Sequence, residues 1–299
     1  MVIKNRSKIC LIVSAAIIVV ALFLTIIGSG INLGIDFAGG LSMQYKLTEN
    51  TPVDKALVEK VLDSMNIGTY AITIQGSNSN EVNIRVKDAA EENKQDIKIA
   101  FEKGIKEYYP DMNTDGNVAF VGPVAGQTLV RNAIVSVLIA SVLMLIYIAI
   151  RFDLNSGLAA VFGLLHDVLI MLSFMVIFRS VIQMNSSFIA AALTIVGYSI
   201  NNTIVIFDRI RENAKKMPTV AREEVTNISI KESLGRTICT TVTTLITIVA
   251  LCILGVASIR EFALPIIVGI LSGVYSANMI NGYVWAFLEE KRRSRKAKA

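Results

Sequence analysis

Charge is scarce in this sequence, and the chain is apolar over long distances. Charged residues make up 18% of the 299 residues, whereas soluble domains carry about 25%. Hydrophobic residues make up 53%, and the mean hydropathy is +0.58. The charges that are present lie between long apolar runs. This segregation excludes an ordinary soluble domain and indicates a protein that resides in lipid.

Cysteine and histidine are also rare. The three cysteines, Cys10, Cys239 and Cys252, all fall within apolar runs, where we expect them to pack as apolar side chains. The polar segment 30–126 has neither cysteine nor histidine, so we expect no disulfide framework and no catalytic constellation there. The chain lacks an H-E-x-x-H motif and a second acid deep in a span, which argues against an intramembrane protease. We predict no catalytic residue, no metal site and no cofactor.

Six apolar runs are long enough to cross a membrane, because a hydrocarbon core about 30 Å thick needs roughly 20 residues of helix. The predicted spans are residues 9–27, 132–150, 157–178, 187–207, 237–256 and 262–288. No A-x-A-like cleavage site follows the first span, so we interpret it as an uncleaved signal anchor. The sequence therefore predicts a polytopic α-helical membrane protein.

Lysine and arginine are concentrated on one side of these spans. Three precede the first span, seven lie within 208–236 and six lie within 289–299, whereas the opposite short loops carry one each. The positive-inside rule then predicts that both termini are cytoplasmic, where the basic flanks meet membrane lipid rather than nucleic acid. Residues 30–125 carry 9 basic and 14 acidic side chains, a net charge of −5 that suits a solvated extracytoplasmic domain.

Hydrophobic residues alternate in four parts of that domain and follow a helical period in two others. We predict strands near 41–47, 70–74, 82–86 and 117–121, and helices near 53–65 and 97–105. The order βαββαβ is typical of a ferredoxin-like α+β unit. The predicted organisation is an N-terminal flank and first span (1–29), a ferredoxin-like domain (30–126), spans two to six with a cytoplasmic loop at 208–236 (127–288), and a basic cytoplasmic tail (289–299).

Two glycine-rich joints bracket the inserted domain. The residues that shape them are Gly34, Asp36, Gly39 and Gly40 on the leading side and Gly122, Pro123 and Gly126 on the trailing side. Glycine permits positive φ and proline fixes a bend, so both joints are predicted to be turns. They are also candidate hinges that would let the domain move relative to the membrane.

A few polar residues inside the spans are candidates for moving an ion. Asp167 is the one acid deep in a span and follows His166, the only histidine. This pair is interpreted either as a proton relay or as a structural hydrogen-bonding pair. The further candidates are Asn201 and Asn202 in span four and Arg236, Thr240 and Thr244 at the start of span five. Those threonines would line a wet path or serve helix packing.

Several blocks of sequence, taken in order, form a recognisable set. They are residues 34–40, 121–129, 166–168, 197–201, 207–213, 233–244 and 262–276. Together they resemble the SecD/SecF family of the bacterial protein-export machinery, and the length of the chain fits the SecF type. The resemblance implies an RND-type six-helix bundle in the bacterial cell membrane that works with SecD, the SecYEG channel and YajC. It also implies use of a proton or sodium gradient to promote late translocation and release of unfolded exported polypeptides.

Position 202 departs from the family pattern. The chain reads Asn201-Asn202-Thr203 where the family typically has Asn-Asp-Thr, and that acid is implicated in ion coupling. Thr128 likewise stands where glutamate is common. An amide can ligate sodium through its oxygen but carries no proton at physiological pH. Coupling then rests on Asp167 or on a partner's acid, or the ion differs, or the chain is a passive scaffold for SecD. A half-size RND exporter of lipids or small molecules is a further alternative.

Overall fold

A computed structural model describes residues 3–28, 30–46, 52–75, 80–87, 90–110, 112–179, 182–255 and 257–298. In chain order its elements are α1 (Ile3–Ile26), α2 (Ile35–Ala38), β1 (Gly40–Lys46), α3 (Lys55–Ser64), β2 (Tyr70–Gln75), β3 (Glu81–Val86), a 3₁₀ turn (Glu91–Asn93), α4 (Lys94–Lys106), β4 (Asn113–Val121), α5 (Pro123–Arg151), α6 (Leu154–Ile177), α7 (Ser186–Lys216), α8 (Arg222–Leu254), α9 (Ala257–Ser276), a π-helical segment (Ala277–Asn281) and α10 (Gly282–Lys298).

The prediction of six spanning helices is confirmed within the described ranges. The helices long and apolar enough to cross a membrane are α1, α5, α6, α7, α8 and the continuous rod formed by α9, the π-helical segment and α10. Together they form the bundle. Its buried core includes Leu164, Ile200 and Trp285, which belong to α6, α7 and α10.

The helices extend beyond the apolar runs that predict them. The predicted loop 208–236 is helical in α7 and α8, and only residues 217–221 lie between the two helices. The predicted tail at 289–299 likewise continues α10 as far as Lys298. Hydropathy marks contact with lipid and not the end of a helix, because backbone hydrogen bonds continue beyond the apolar run. Asn213 and Ser229, which hydrogen-bond at 3.0 Å, also join α7 to α8 outside the predicted spans.

The inserted domain, residues 40–121, contains one antiparallel sheet with the strand order β2-β3-β1-β4. Its elements follow one another in the predicted order βαββαβ. Leu41 lies opposite Val86 and Met43 opposite Ile84, so alternate residues of β1 and β3 point into one core. Side chains of α3 and α4, such as Phe101, complete that core on one face of the sheet. Within the described residues of the inserted domain, no helix covers the other face of the sheet.

Two tyrosines hold the sheet to these helices. The Tyr45 hydroxyl donates to Glu102 at 3.2 Å, and burial together with this carboxylate raises the pKa of Tyr45. The Tyr70 hydroxyl donates to Asp63, and this hydrogen bond is the main cause that raises the pKa of Tyr70 to about 12. Both phenols therefore act as neutral donors throughout the physiological pH range.

Candidate functional site

Asp167 is the centre of a buried polar cluster between α6, α7 and α9. Its Oδ1 accepts a hydrogen bond from Ser272 Oγ at 2.7 Å, and its Oδ2 accepts from Ser199 Oγ at 2.5 Å and Ser276 Oγ at 2.9 Å. Nδ1 of His166 lies 3.0 Å from Oδ1. The Asp167 side chain has no exposed surface. A buried carboxylate is tolerated when hydrogen bonds satisfy it, and four polar contacts do so here.

The three helices come close enough for these contacts because α9 carries small residues where it crosses α7. A Cβ atom added at Gly273 would lie 3.2 Å from Ser199 Cβ, and one added at Gly269 would lie 2.4 Å from Ile195 Cγ1. Small residues in membrane helices permit such close backbone approach. The serine hydroxyls of α9 then reach across to α6.

A line of polar contacts leads from the cluster to α1. His166 Nε2 lies 2.7 Å from Ser14 Oγ, which lies 3.5 Å from the Tyr275 hydroxyl. That hydroxyl donates to the carbonyl oxygen of Cys10 at 2.7 Å, and the Tyr275 ring stacks on His166. A neutral imidazole donates at one nitrogen and accepts at the other. His166 therefore joins the Asp167 carboxylate to a series of hydroxyls, an arrangement that can pass a proton.

A second group of buried amides lies in the π-helical segment. Asn281 Nδ2 donates to Thr203 Oγ1 at 2.9 Å, and Asn278 Oδ1 accepts from Thr237 Oγ1 at 3.4 Å. π-Helical distortions are frequent at functional sites. The buried polar atoms without a hydrogen-bond partner in the described part of the chain include Nδ2 of Asn202, Oγ1 of Thr241 and Oδ1 of Asn281. Hydrogen-bonding capacity is therefore unused inside the bundle.

The structure separates most of the other ion-coupling candidates from Asp167. Those that are exposed or half-exposed at the surface of the bundle are Asn201, Arg236, Thr240 and Thr244. Asn202 is 1% exposed. Successive residues of a helix point about 100° apart, so the two asparagines face different surroundings. The pair therefore contributes one side chain to the interior and one to the outer surface.

The threonines of α8 bond to their own helix. Thr240 Oγ1 donates to the Arg236 carbonyl at 2.8 Å, and Thr244 Oγ1 donates to the Thr240 carbonyl at 2.9 Å. Such back-bonding satisfies a hydroxyl without a neighbouring helix. The two hydroxyls are therefore occupied within α8, and among the described residues they have no hydrogen bond to the Asp167 cluster.

Sequence reasoning did not assign several residues of the cluster. The unassigned side chains are Ser14, Ser199, Ser272, Ser276, Asn278 and Asn281. A usable signal was present in the last span, where the run 272–281 places serine and asparagine inside an otherwise apolar stretch. Polar residues within a span tend to face the interior of a bundle. Ser272 and Ser276 are four residues apart and therefore lie on one face of the helix, where both can contact the same acid.

The leading joint is hydrogen-bonded to the start of α7. Asp36 Oδ2 accepts from the Ser186 backbone N–H at 2.8 Å and from its hydroxyl at 2.6 Å. The Gly34 N–H donates to the carbonyl oxygen of Met184 at 2.7 Å. Gly39 and Gly40 have φ of 78° and 128°, as a glycine turn requires. The joint is thus a turn attached to the bundle.

The trailing joint differs from the predicted turn. Pro123 is the first residue of α5, and Gly126 lies inside that helix. Proline suits this position because the first N–H groups of a helix have no intrahelical partner. A Cβ atom added at Gly126 would lie 2.6 Å from the Phe37 carbonyl oxygen, so this glycine allows α2 to pack on α5. Gly122 immediately precedes the helix.

An ion pair links the sheet to the bundle. Arg85 of β3 lies on the helix-free face, and its Nη2 is 3.2 Å from Oε1 of Glu261 in α9. The two side chains are 12% and 19% exposed. Glu261 also accepts a hydrogen bond from Asn185, directly before α7. The same carboxylate therefore contacts the inserted domain and the ends of two membrane helices.

Comparison with protein families agrees with this architecture. The family described as protein export membrane protein SecD/SecF, C-terminal, matches residues 100–291, and the SecD/SecF GG motif matches residues 25–50. The chain belongs to the SecD/SecF family of protein-export membrane proteins. The family expected from the sequence blocks is confirmed.

Individual relatives match over most of the chain. The protein translocase subunit SecF of Calditerrivibrio nitroreducens is 35% identical over 293 residues, which are 97% of this chain and 94% of the relative. SecDF of Bacillus subtilis is 34% identical over 285 residues. That relative is much longer, and the chain spans only 37% of its length. The crystal structure of SecDF from Thermus thermophilus superimposes with a TM-score of 0.79 at 32% identity, covering 96% of this chain and 38% of that one.

Proposed function

We propose that this chain is the SecF-type subunit of a Sec protein translocase and uses an ion gradient to promote late translocation and release of exported proteins. The observation that carries the proposal is the match to a SecF subunit over nearly the full length of both chains. In this proposal the protein lies in the bacterial cell membrane with both termini in the cytoplasm and the inserted domain outside.

Asp167 is the proposed coupling group. Its carboxylate and the neighbouring imidazole form the one buried acid–histidine pair in the described part of the chain. Ionisable groups within a membrane commonly belong to ion or proton pathways. One elementary charge that crosses 100 mV releases about 2.3 kcal/mol. That free energy is enough to shift the inserted domain between two positions relative to the bundle, if protonation of Asp167 alters the packing of α6 against α7 and α9.

The surface formed by α7 and α8 supports a partnership with SecD. Asn201, near the middle of α7, is exposed, and so is Thr240, near the start of the apolar part of α8. Gly197 is also exposed, and a Cβ atom added there would meet nothing within 4 Å. Hydrocarbon offers polar groups no hydrogen bonds, and small or polar residues favour helix association in membranes. This face is the proposed contact with SecD, and SecYEG and YajC are further proposed partners.

A passive scaffold for SecD is the second candidate function. Its support is Asn202, a buried amide at the position where the family has an acid. Because an amide does not titrate, this position cannot carry a proton.

The deciding experiment is complementation of SecF-depleted cells, with the cognate SecD supplied, by the unaltered chain or by Asn202→Asp. Release of an exported reporter is followed while the proton and sodium gradients are collapsed separately. Gradient-dependent release with the unaltered chain supports coupling without an acid at position 202. Restoration by Asn202→Asp alone supports the passive scaffold. If both chains insert with SecD and neither restores release, the translocase proposal fails and the half-size exporter is favoured.

A further inference from the structure

A groove opens on the surface of the bundle where α2 packs on α5. It has a volume of about 410 Å³, and we call it the α2–α5 groove. The residues that line it are Phe37 of α2 and Gln127, Val130, Arg131, Ile134 and Val135 of α5. The five residues of α5 fall at i, i+3, i+4, i+7 and i+8, so they share one face of that helix.

The two ends of the groove differ in chemistry. Gln127 and Arg131 lie toward the inserted domain, and both side chains are exposed. In the described part of the chain neither side chain makes a hydrogen bond or an ion pair. The other end is apolar, and there Ile134 and Val135 are 57% and 44% exposed. The groove therefore has unused hydrogen-bond donors at one end and an uncovered apolar floor at the other.

The length of α5 places Arg131 at a membrane surface. Arg131 and Arg151 lie 20 positions apart on this helix, and residues 132–150 between them carry no charge. At 1.5 Å per residue their separation along the axis is about 30 Å, which equals the thickness of the hydrocarbon core. The Arg131 guanidinium thus lies at the level of the lipid headgroups on the side of the inserted domain, and the apolar floor lies in hydrocarbon.

A second arginine on the same side shows how such a group can be satisfied within the protein. Arg260 donates from Nε to the Gly255 carbonyl oxygen at 3.1 Å and from Nη2 to that of Ile253 at 3.2 Å. It is therefore occupied by the end of α8. Arg131 has no such acceptor in the described residues, and a guanidinium at this depth fits phosphate oxygens with two parallel N–H groups.

We propose that the α2–α5 groove binds one phospholipid from the leaflet on the side of the inserted domain. Arg131 holds the phosphate, and the Gln127 amide donates to a phosphate or ester oxygen. One acyl chain lies along Val130, Ile134 and Val135. This inference goes beyond the proposed function, because it requires only that α5 spans a membrane.

The bound lipid would stabilise the leading joint. Phe37 is 6% exposed and is the wall that α2 gives to the groove. Its carbonyl oxygen is where α2 comes closest to Gly126 of α5. A ligand that binds only the packed arrangement of α2 and α5 shifts the equilibrium toward that arrangement. The lipid is thus a third component of the contact that attaches the inserted domain to the bundle.

The test is photolabelling of the full chain with SecD in nanodiscs. The probe is a phosphatidylglycerol with a diazirine in one acyl chain, and a diacylglycerol with the same chain and no phosphate is the comparison. Labelled peptides are located by mass spectrometry. We expect the peptide that contains Phe37 to be labelled about tenfold more by the phospholipid, because a hydrogen bond to a charged group is lost without the phosphate.

Charge variants test the proposed phosphate contact. Arg131→Gln should lower labelling by the phospholipid about tenfold, and Arg131→Lys, which keeps the charge, should retain most of it. Arg260→Gln is the matched control, since it removes one positive charge from the same side of the membrane. It should leave labelling within about twofold, because Arg260 donates to backbone carbonyls.

A second pair of variants tests the groove itself. Ile134→Trp fills the groove while Arg131 stays in place, and it should lower labelling of the Phe37 peptide about fivefold or more. Leu138→Trp is its control, because Leu138 lies one turn further along the same helix, is 59% exposed and does not line the groove. Labelling should then stay within about twofold of the unaltered chain.

The outcomes separate this inference from the proposed function. Equal labelling by the two lipids, or no loss with Arg131→Gln, would show that the groove contacts only ordinary bilayer lipid. Labelling that appears only when SecD is omitted would show that SecD covers the groove. Each of these results would overturn the lipid site. The assay measures lipid contact and not export, so the translocase proposal would stand and is tested by reporter release.

Discussion

At the scale of single residues, the chemistry of the bundle depends on how Asp167 is satisfied. An isolated carboxylate in a membrane interior is strongly disfavoured, and this one is held by three serine hydroxyls and an imidazole. Each hydroxyl can donate to an ionised carboxylate or accept from a protonated one. The cluster therefore has hydrogen bonds available to both protonation states of the acid.

Replacement of Asp167 by asparagine tests this residue directly. Asparagine keeps the size of the side chain but cannot exchange a proton, so we expect gradient-dependent release to fall on the order of a hundredfold. SecD association, measured by co-purification, should be unchanged. Thr25→Val is the matched control, since this exposed threonine of α1 donates to the Ala21 carbonyl of its own helix at 2.8 Å, and it should alter release by less than about twofold. Normal secretion by Asp167→Asn would show that the acid is structural.

At the scale of elements, the close approach of α6 to the π-helical segment is set by one glycine. A Cβ atom added at Gly163 would lie 2.1 Å from Oδ1 of Asn281, whose Nδ2 holds Thr203. The buried amide would have to move and give up that hydrogen bond. The packing of two helices and the polar contacts of the second are thus coupled.

Gly163→Ala should therefore lower the free energy of unfolding by about 1–3 kcal/mol. Gly197→Ala is the control, because a Cβ atom there meets nothing within 4 Å, and its effect should stay within about 1 kcal/mol. Both changes are compared by denaturant titration of the purified chain in detergent. Equal stability of the two variants would mean that α6 and the π-helical segment lie further apart than the structure has them.

The contact between the sheet and the bundle depends on Glu261. Glu261→Gln removes the charge that faces Arg85 and leaves the partly buried guanidinium without its ionic partner. We expect the contact to weaken by about 1–3 kcal/mol and hydrogen exchange in β3 to rise. Glu81→Gln, in the more exposed pair with Lys46, is the control and should change exchange little. Unchanged exchange in both variants would show that the ion pair does not hold the domain.

At the scale of the whole molecule, a six-helix bundle carries one α+β domain between its first two spans. The domain is attached through α2, which packs on α5, and through Asp36 and Arg85, which contact the ends of α7 and α9. Movement of the domain as a unit would break these contacts together. In the proposed function, these contacts are the route by which a change at Asp167 would reach the domain.

The orientation of the molecule can be tested by labelling. Lys103→Cys in α4 and Lys291→Cys in α10 are introduced after the native cysteines have been replaced by serine. Both lysines are exposed. In intact cells a membrane-impermeant thiol reagent should modify position 103 alone, and position 291 should react only after the membrane is opened. The reverse pattern would contradict the positive-inside assignment.

The spans, the order of elements in the inserted domain and the family could all be predicted from the amino-acid sequence. These features follow from local signals: apolar runs of about 20 residues, alternation with a period of two, and blocks of residues in a fixed order. The sequence also singled out Asp167 and His166, because an acid within a span is conspicuous wherever its partners lie.

Which polar groups contact each other depends on the packing of the helices and could not be predicted from the sequence. Ser199 and Ser276 reach Asp167, whereas Asn201 and Arg236 face outward, although all of them are polar residues in or beside spans. The difference arises from the rotation of each helix about its axis and from the small residues that let α9 approach α7. Hydropathy contains no information on either quantity, because both are set by packing between residues far apart in the chain.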